Sequence, residues 1–180
     1  MQLFPGSRRA WRGMLGRLAL LFVLLALGLW YMVHMPARSY KGPLPPLSPD
    51  DQLMAVRLRE HVVALAETIG SRNLQRPKAL EAAAVYIEQA LSAFGYAPRR
   101  QGFDVNGRPA RNIEVELPGA SATAEIVIIG AHYDSVAGTP GANDNASGVA
   151  ALLELARSLA GHKLPRTLRL VAFVNEEPPY

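Results

Sequence analysis

Two short apolar segments with a helical pattern between them constrain the fold of this 180-residue chain more than any other feature. Residues 124–131 (AEIVIIGA) and 167–174 (TLRLVAFV) have the length and composition of buried strands. Between them, Val, Leu and Ala recur at helical spacing over residues 146–160. A strand, a helix and a strand of this kind form a right-handed βαβ unit with parallel strands. The sequence therefore predicts an α/β protein, with the second strand left at an apolar edge of the sheet.

Further predicted elements precede this unit. The apolar spacing predicts two helices and then two strands, over residues 50–68, 77–94, 99–105 and 111–117. Asn106-Gly107 separates the two strands, and this dipeptide is typical of a hairpin turn. We therefore expect a mixed, largely parallel sheet flanked by helices, in a three-layer sandwich formed by residues 50–180.

Polar residues with metal-binding side chains follow both strands of the βαβ unit. His132 and Asp134 come directly after the first strand, and Glu176 and Glu177 come directly after the second. Asp144 lies at the start of the connecting helix. Parallel strands end at the same edge of a sheet, and the connecting helix starts from that edge. We therefore expect these five side chains to lie close together.

The residue types suit zinc and hydrolytic chemistry. Imidazole and carboxylate groups are the usual non-thiolate ligands of zinc, at about 2.0–2.2 Å. Asp134 can accept the second ring N–H of His132 and so fix the tautomer of that histidine. One glutamate of the adjacent pair can then bind metal while the other transfers protons. Taken singly, each motif fits a solvated turn or a helix cap better than a metal site, so the prediction depends on their convergence at one edge.

The segments GAHYDSVAGTPGANDNASGVAALLELA and LVAFVNEEPPY closely resemble the co-catalytic zinc aminopeptidases of the M28 peptidase family. The resemblance covers roughly residues 50–180 and includes Asn112-Ile113-Glu114. It implies the phosphorylase/hydrolase-like fold of zinc exopeptidases, two zinc ions, and peptide or protein N-termini as substrates. It also implies a cis peptide bond directly after the bridging aspartate, between Asp144 and Asn145.

The same resemblance implies a role for each candidate residue. His132 would ligate one metal ion, Glu177 would ligate the other, and Asp144 would bridge both. Glu176 would be the general base that takes a proton from water and passes it to the leaving amine. Asp134 would orient His132.

The resemblance also implies ligands that this chain does not contain. The family uses a further aspartate and a further histidine after the Glu-Glu pair, and no residue follows Tyr180. We therefore expect an incomplete fold and little or no activity from these residues alone. Two other functions stay open: a glutaminyl cyclase-like acyltransferase with a single zinc, and a non-catalytic envelope protein with a truncated site.

An apolar segment near the N-terminus predicts a membrane anchor. Residues 18–33 are uncharged and would span roughly 24 Å as a helix, so we assign the transmembrane segment to residues 14–35. Four arginines precede the uncharged run, which predicts cytoplasmic residues 1–13 and an extracytoplasmic, periplasmic catalytic portion. Proline-rich residues 36–49 would form a linker. A signal peptide cleaved near Ala37 is the alternative.

The formal net charge of +4 belongs to the N-terminal region. Residues 1–41 contain six Arg/Lys and no acidic residue, whereas residues 42–180 contain thirteen Arg/Lys and fifteen Asp/Glu. The basic excess is therefore a membrane-topology signal, and we predict no nucleic-acid partner. The chain has no cysteine, which excludes disulfides and zinc–thiolate sites.

Overall fold

The structure is a computed structural model that describes residues 6–34, 39–120 and 125–178. The chain separates into two compact units, Met1–Pro45 and Pro46–Tyr180. The end of the predicted membrane segment, the first linker residues and the alternative cleavage position at Ala37 all lie outside the described residues. The predicted domain boundaries therefore stay predictions.

The described part of the first unit forms a single helix, α1 (Arg8–Val33). Its N-cap is Ser7, whose hydroxyl oxygen accepts a hydrogen bond from the backbone N–H of Ala10 at 3.2 Å. Its most apolar window has a mean hydropathy of 2.0, and none of that window is buried. Among the described residues, α1 alone is long and apolar enough to cross a membrane, although a secretory signal sequence would pass the same test.

The described residues of the second unit form three α-helices, and all three are predicted by the apolar spacing: α2 (Pro49–Val62), α3 (Pro77–Ala93) and α4 (Ser147–Leu159). A capping box starts α2, because the side chains of Ser48 and Asp51 each accept the backbone N–H of the other. This helix continues as a π-helical turn, Val63–Ile69, which stops at Gly70. The loop that follows this turn lies at the sheet edge that carries the candidate site.

Four strands form one mixed sheet in the order β1-β2-β4-β3, with β1 (Arg99–Val105), β2 (Arg108–Leu117), β3 (Ile126–His132) and β4 (Thr167–Phe173). Strands β1 and β2 pair antiparallel across Asn106-Gly107, where both residues have positive φ as a tight hairpin requires. Strand β4 pairs antiparallel with β2 and parallel with β3. The predicted mixed sheet is confirmed, and parallel pairing among the described strands is confined to β3 and β4.

The edge strands of the described sheet are β1 and β3, so the prediction that the second strand of the unit forms an edge is wrong. Strand β4 is instead central, with Val115 of β2 opposite its Leu170. Leu170 is 1% exposed, whereas Ile128 in β3 is 57% exposed, which also corrects the expected coverage of that strand on both faces. Apolar content indicates that a strand can be buried, but it does not say which strands lie beside it.

The core lies between one face of the sheet and the helices. Its most buried members include residues from β2, β4, α3 and α4, namely Ile113, Val115, Leu170, Ile87 and Leu153. On the opposite face, charged pairs such as Arg169 with Glu116, at 2.6 Å, replace apolar contacts. The described residues thus supply the sheet and the helical layer on one face, and the third layer of the predicted sandwich is not among them.

Truncating Leu153 to alanine is expected to lower the free energy of unfolding of the second unit by about 2–5 kcal/mol. Its side chain is 0% exposed in the centre of the core, so its loss leaves a cavity. Urea unfolding followed by circular dichroism measures the change. Leu53→Ala is the matched control, because Leu53 is 58% exposed and its truncation should cost less than about 0.5 kcal/mol. Equal losses for the two variants would contradict this core assignment.

Candidate metal centre

The parallel pair β3/β4 brings the predicted site residues to one edge of the sheet. His132 is the last residue of β3 and lies opposite Phe173, the last residue of β4. Two residues later, Asn175 has a left-handed backbone conformation with φ of 67°, which turns the chain. Glu176 and Glu177 follow directly, so both carboxylates return toward the end of β3.

Asp144 reaches the same edge from the connection between β3 and α4. It lies in a π-helical turn, Ala142–Ala146, but its own backbone is extended, with φ of −127° and ψ of 90°. The peptide bond between Asp144 and Asn145 is cis, so that prediction is confirmed. The side chain of Asn145 accepts the backbone N–H of Gly148, in the first turn of α4, at 2.9 Å.

The imidazole of His132 faces the acidic residues through Nε2. This atom lies 2.9 Å from Asp144 Oδ1 and 3.7 Å from Glu176 Oε2. Ligand atoms of His132, Glu176 and Glu177 all lie within 4.8 Å of one another. Two zinc ligands with bonds of about 2.0–2.2 Å are roughly 3.3–3.6 Å apart in tetrahedral geometry. The distances from His132 Nε2 to Asp144 and to Glu176 lie on either side of that range, so the cluster has the spacing of a metal site.

Asp134 is buried below this cluster, with its side chain 4% exposed. Its two oxygens accept hydrogen bonds from the backbone N–H groups of Glu176, at 3.4 Å, and Glu177, at 3.2 Å. Asp134 Oδ1 also lies 3.6 Å from His132 Nδ1, which is buried and has no hydrogen-bond partner among the described residues. Asp134 therefore lies near His132 Nδ1, the atom that it is predicted to contact. It also forms hydrogen bonds with the backbone of the glutamate pair.

The acidic cluster is electrostatically unfavourable by itself. Burial is the main cause that raises the pKa of Glu177, and the neighbouring Asp144, Glu176 and Asp134 carboxylates raise it further, against an opposing effect of His132. The imidazole of His132 lies within 4 Å of both Asp144 and Glu176, at 2.9 Å and 3.7 Å. A divalent cation would relieve this repulsion, and the ligand types are those that zinc accepts.

Two residues that support the site were not predicted as part of it. The side-chain oxygen of Asn112 accepts the backbone N–H of Val174 at 3.0 Å, just before the turn to the glutamates. Arg72 is 0% exposed and donates to backbone carbonyls of the loop that precedes Asp144. An arginine two residues after a helix-ending glycine looks like an ordinary surface residue, so the sequence carried no signal for its burial.

The other histidines of the second unit lie outside the cluster. His61 Nδ1 is 2.6 Å from the hydroxyl oxygen of Tyr86, and its Nε2 is 3.9 Å from Glu154. Burial lowers the pKa of His61, while the nearby Glu154 raises it. His162 is exposed and follows α4 at the end of that helix away from Asp144.

Residues 112–179 match the sequence description of peptidase family M28. Among curated proteins, the uncharacterized protein YfbL of Escherichia coli is 38% identical over 133 residues, which is 69% of this chain and 40% of that protein. Aminopeptidase YwaD of Bacillus subtilis is 43% identical over 65 residues, which is 36% of this chain and 14% of that protein. The chain thus spans less than half the length of these relatives.

Solved structures share the same fold. A zinc aminopeptidase from Bacillus subtilis aligns with a TM-score of 0.63 at 15% identity, over 68% of this chain and 61% of that one. Glutaminyl cyclase from Porphyromonas gingivalis aligns with a TM-score of 0.54 at 26% identity, over 67% of this chain and 43% of that one. The match over residues 112–179, which contains the whole acidic cluster, identifies this part of the chain as a sequence of peptidase family M28.

Proposed function

We propose that this chain carries the metal-binding and proton-transfer residues of a zinc metallopeptidase that removes residues from the N-termini of peptides. The observation that carries the proposal is the position of His132 Nε2, which lies 2.9 Å from Asp144 and 3.7 Å from Glu176 at the ends of the parallel pair β3/β4. The relative named aminopeptidase YwaD supports the same reaction class. A peptide or protein N-terminus would be the substrate.

In this proposal His132, Asp144 and Glu177 would hold zinc, with Asp144 as the ligand common to two ions. The metal, when bound, would supply a Lewis acid and lower the pKa of water. His132 suits ligation through Nε2, because the tautomer with its proton on Nδ1 points that N–H toward Asp134 at 3.6 Å. The free Nε2 lone pair then faces carboxylates, an arrangement that is repulsive unless a cation lies between them.

Glu176 is the proposed general base. Its carboxylate is 62% exposed beside His132, so water and substrate can reach it. It would take a proton from the attacking water and return that proton to the amine nitrogen of the leaving peptide. Asp134 contributes by accepting hydrogen bonds from the backbone N–H groups of Glu176 and Glu177. These bonds fix the backbone from which the two carboxylate side chains extend.

A glutaminyl cyclase-like acyltransferase is the second candidate, because glutaminyl cyclases share this fold. The two candidates differ in metal number and in substrate. A two-zinc aminopeptidase would release the first residue from many peptides, whereas a single-zinc cyclase would convert an N-terminal glutamine to a cyclic product without hydrolysis. Zinc stoichiometry and product masses therefore distinguish them.

The test is to measure zinc content and product formation by the intact gene product with aminoacyl p-nitroanilides and with an N-terminal glutamine peptide. We expect two zinc ions per chain, release of p-nitroaniline, and loss of that activity in a chelator with recovery on added zinc. One zinc and a cyclised product would favour the cyclase. Neither zinc nor turnover would favour a non-catalytic envelope protein.

We propose that α1 anchors the protein in a membrane, with residues 1–13 in the cytoplasm and the second unit on the periplasmic side. The support is the apolar helix itself and the arginines that precede its uncharged run. Protease digestion of intact and permeabilised cells tests the orientation. Digestion of the second unit only after the cytoplasmic membrane is opened would contradict it, and release of a soluble, shortened protein would indicate a cleaved signal peptide.

A further inference from the structure

Arg72 forms a buried crosslink beneath the candidate metal centre. Its side chain is 0% exposed and donates hydrogen bonds to five backbone carbonyl oxygens. Nε donates to Tyr133 at 2.6 Å, and Nη2 donates to Gly141 at 3.0 Å. Nη1 donates to Pro140 at 2.6 Å and to the two carbonyls of the preceding helical turn, Leu65 and Gly70, at 3.2 Å each.

The acceptors belong to the two segments that carry the candidate ligands. Tyr133 lies between His132 and Asp134 in the sequence, so a hydrogen bond to its carbonyl restrains the backbone that carries both of those side chains. Gly141 starts the turn that contains Asp144, and its left-handed φ of 57° aims its carbonyl at Arg72. One guanidinium therefore holds the end of β3 and the Asp144 turn in a fixed relation to each other.

Ser135 adds a second link between the same segments. Its hydroxyl oxygen accepts the backbone N–H of Arg72 at 3.1 Å, and its hydroxyl donates to the carbonyl of Thr139 at 3.1 Å. The backbone N–H of Ser135 in turn donates to the carbonyl of Arg72 at 2.8 Å. The loop after His132 is thus bonded to the Arg72 backbone as well as to its side chain.

The crosslink is charged as well as rigid. Burial lowers the pKa of Arg72 to about 10, and the nearby Asp134 carboxylate opposes that shift. Arg72 thereby supplies a positive charge near the buried Asp134, whose oxygens accept the backbone N–H groups of Glu176 and Glu177. A neutral residue at position 72 would leave five carbonyls without this donor and Asp134 without this nearby cation.

We infer that Arg72 is a positioning residue that sets the distance between His132 and Asp144 through its bonds to Tyr133 and Gly141, and that it thereby controls zinc affinity. This inference rests on the proposed function for its metal, although the geometry it concerns belongs to the chain itself. A merely structural role predicts something different: loss of stability with an unchanged metal site in the molecules that remain folded.

The test compares Arg72→Lys and Arg72→Met with Leu65→Ala in the intact gene product. Leu65 is equally buried beside Arg72, but its truncation leaves the acceptor carbonyl in place. We expect both Arg72 variants to lower zinc affinity by about 10–100-fold in competition with a chromogenic chelator, as loss of groups that orient ligands does elsewhere. We also expect them to change the visible spectrum of the cobalt(II)-loaded protein. Leu65→Ala should lower thermal stability and leave both readouts unchanged.

The Arg72→Lys variant separates the effect of the positive charge from the effect of the hydrogen-bond geometry. It keeps the cation but has a single ammonium group in place of the planar guanidinium, so it cannot span the same carbonyls. Wild-type zinc affinity and an unchanged cobalt spectrum in Arg72→Lys would overturn the inference. If neither Arg72 variant folds, Ser135→Ala removes the two hydroxyl hydrogen bonds of the second link and keeps its backbone bond, and we expect about 10-fold weaker zinc binding from it. Unchanged affinity in Ser135→Ala would then overturn the inference.

A measurement on metal-free protein keeps this inference separate from the proposed function. Amide hydrogen exchange over residues 132–145 should become at least about 10-fold faster in Arg72→Lys than in wild type, with no comparable change in α3. Leu65→Ala should instead accelerate exchange throughout the second unit. If wild type binds no zinc, the proposed function fails, and the exchange result still decides whether Arg72 holds the two segments together.

Discussion

Replacement of Glu176 by glutamine is expected to lower kcat by about 10²–10⁴-fold while the protein keeps its zinc. The amide has nearly the same size as the carboxylate, but it cannot accept a proton from water at neutral pH. The proposed ligands His132, Asp144 and Glu177 are unchanged in this variant. Steady-state kinetics with aminoacyl p-nitroanilides and zinc content by mass spectrometry, on the same preparation of the intact gene product, measure both quantities.

Glu125→Gln is the matched control for this substitution. Glu125 precedes β3 at the end of the strand away from His132, and its exposed carboxylate pairs with Arg166 at 2.7 Å. An exposed pair of this kind contributes at most about 1 kcal/mol, so we expect kcat to stay within about twofold of wild type. Near-normal kcat in Glu176→Gln would mean that another group is the base. Loss of zinc would mean that Glu176 is a ligand.

The sequence predicted the local elements of the second unit well, because local chemistry decides them. Pro77 marks the first residue of α3, and Asn106-Gly107 forms the tight turn between β1 and β2. The neighbours of each strand were harder to predict. Strand β2 approaches β4 from a distant part of the chain and leaves β3 at an edge of the described sheet, and no single segment encodes that pairing.

The candidate site was predictable where it depends on topology. His132 and Glu176 are 44 positions apart, yet the expectation that parallel strands end at one edge places them together, and their side chains lie 3.7 Å apart. Contacts from side chain to backbone were not predictable. Arg72 bonds to the carbonyl of Tyr133, and a carbonyl acceptor leaves no trace in residue identity. The hydrogen bonds from the backbone N–H groups of the two glutamates to Asp134 were not predictable for the same reason.

Replacement of His132 by alanine is expected to weaken zinc binding by at least about 100-fold and to abolish measurable turnover. Loss of a group that only orients a ligand costs about 10–100-fold in metal affinity, so loss of a ligand should cost more. The variant also leaves the Asp144, Glu176 and Glu177 carboxylates without the imidazole that pairs with two of them. Competition with a chromogenic chelator, at a pH where free histidine is neutral, measures the affinity.

The matched control for this last variant is His162→Ala, because His162 is an exposed histidine beyond the far end of α4. We expect it to bind zinc with wild-type affinity and to keep full activity. The imidazole is only 11% exposed in His132, so thermal unfolding of the metal-free proteins must show that His132→Ala remains folded. A folded His132→Ala protein that binds zinc as tightly as His162→Ala would exclude His132 as a ligand, and with it the placement of the metal at the end of β3.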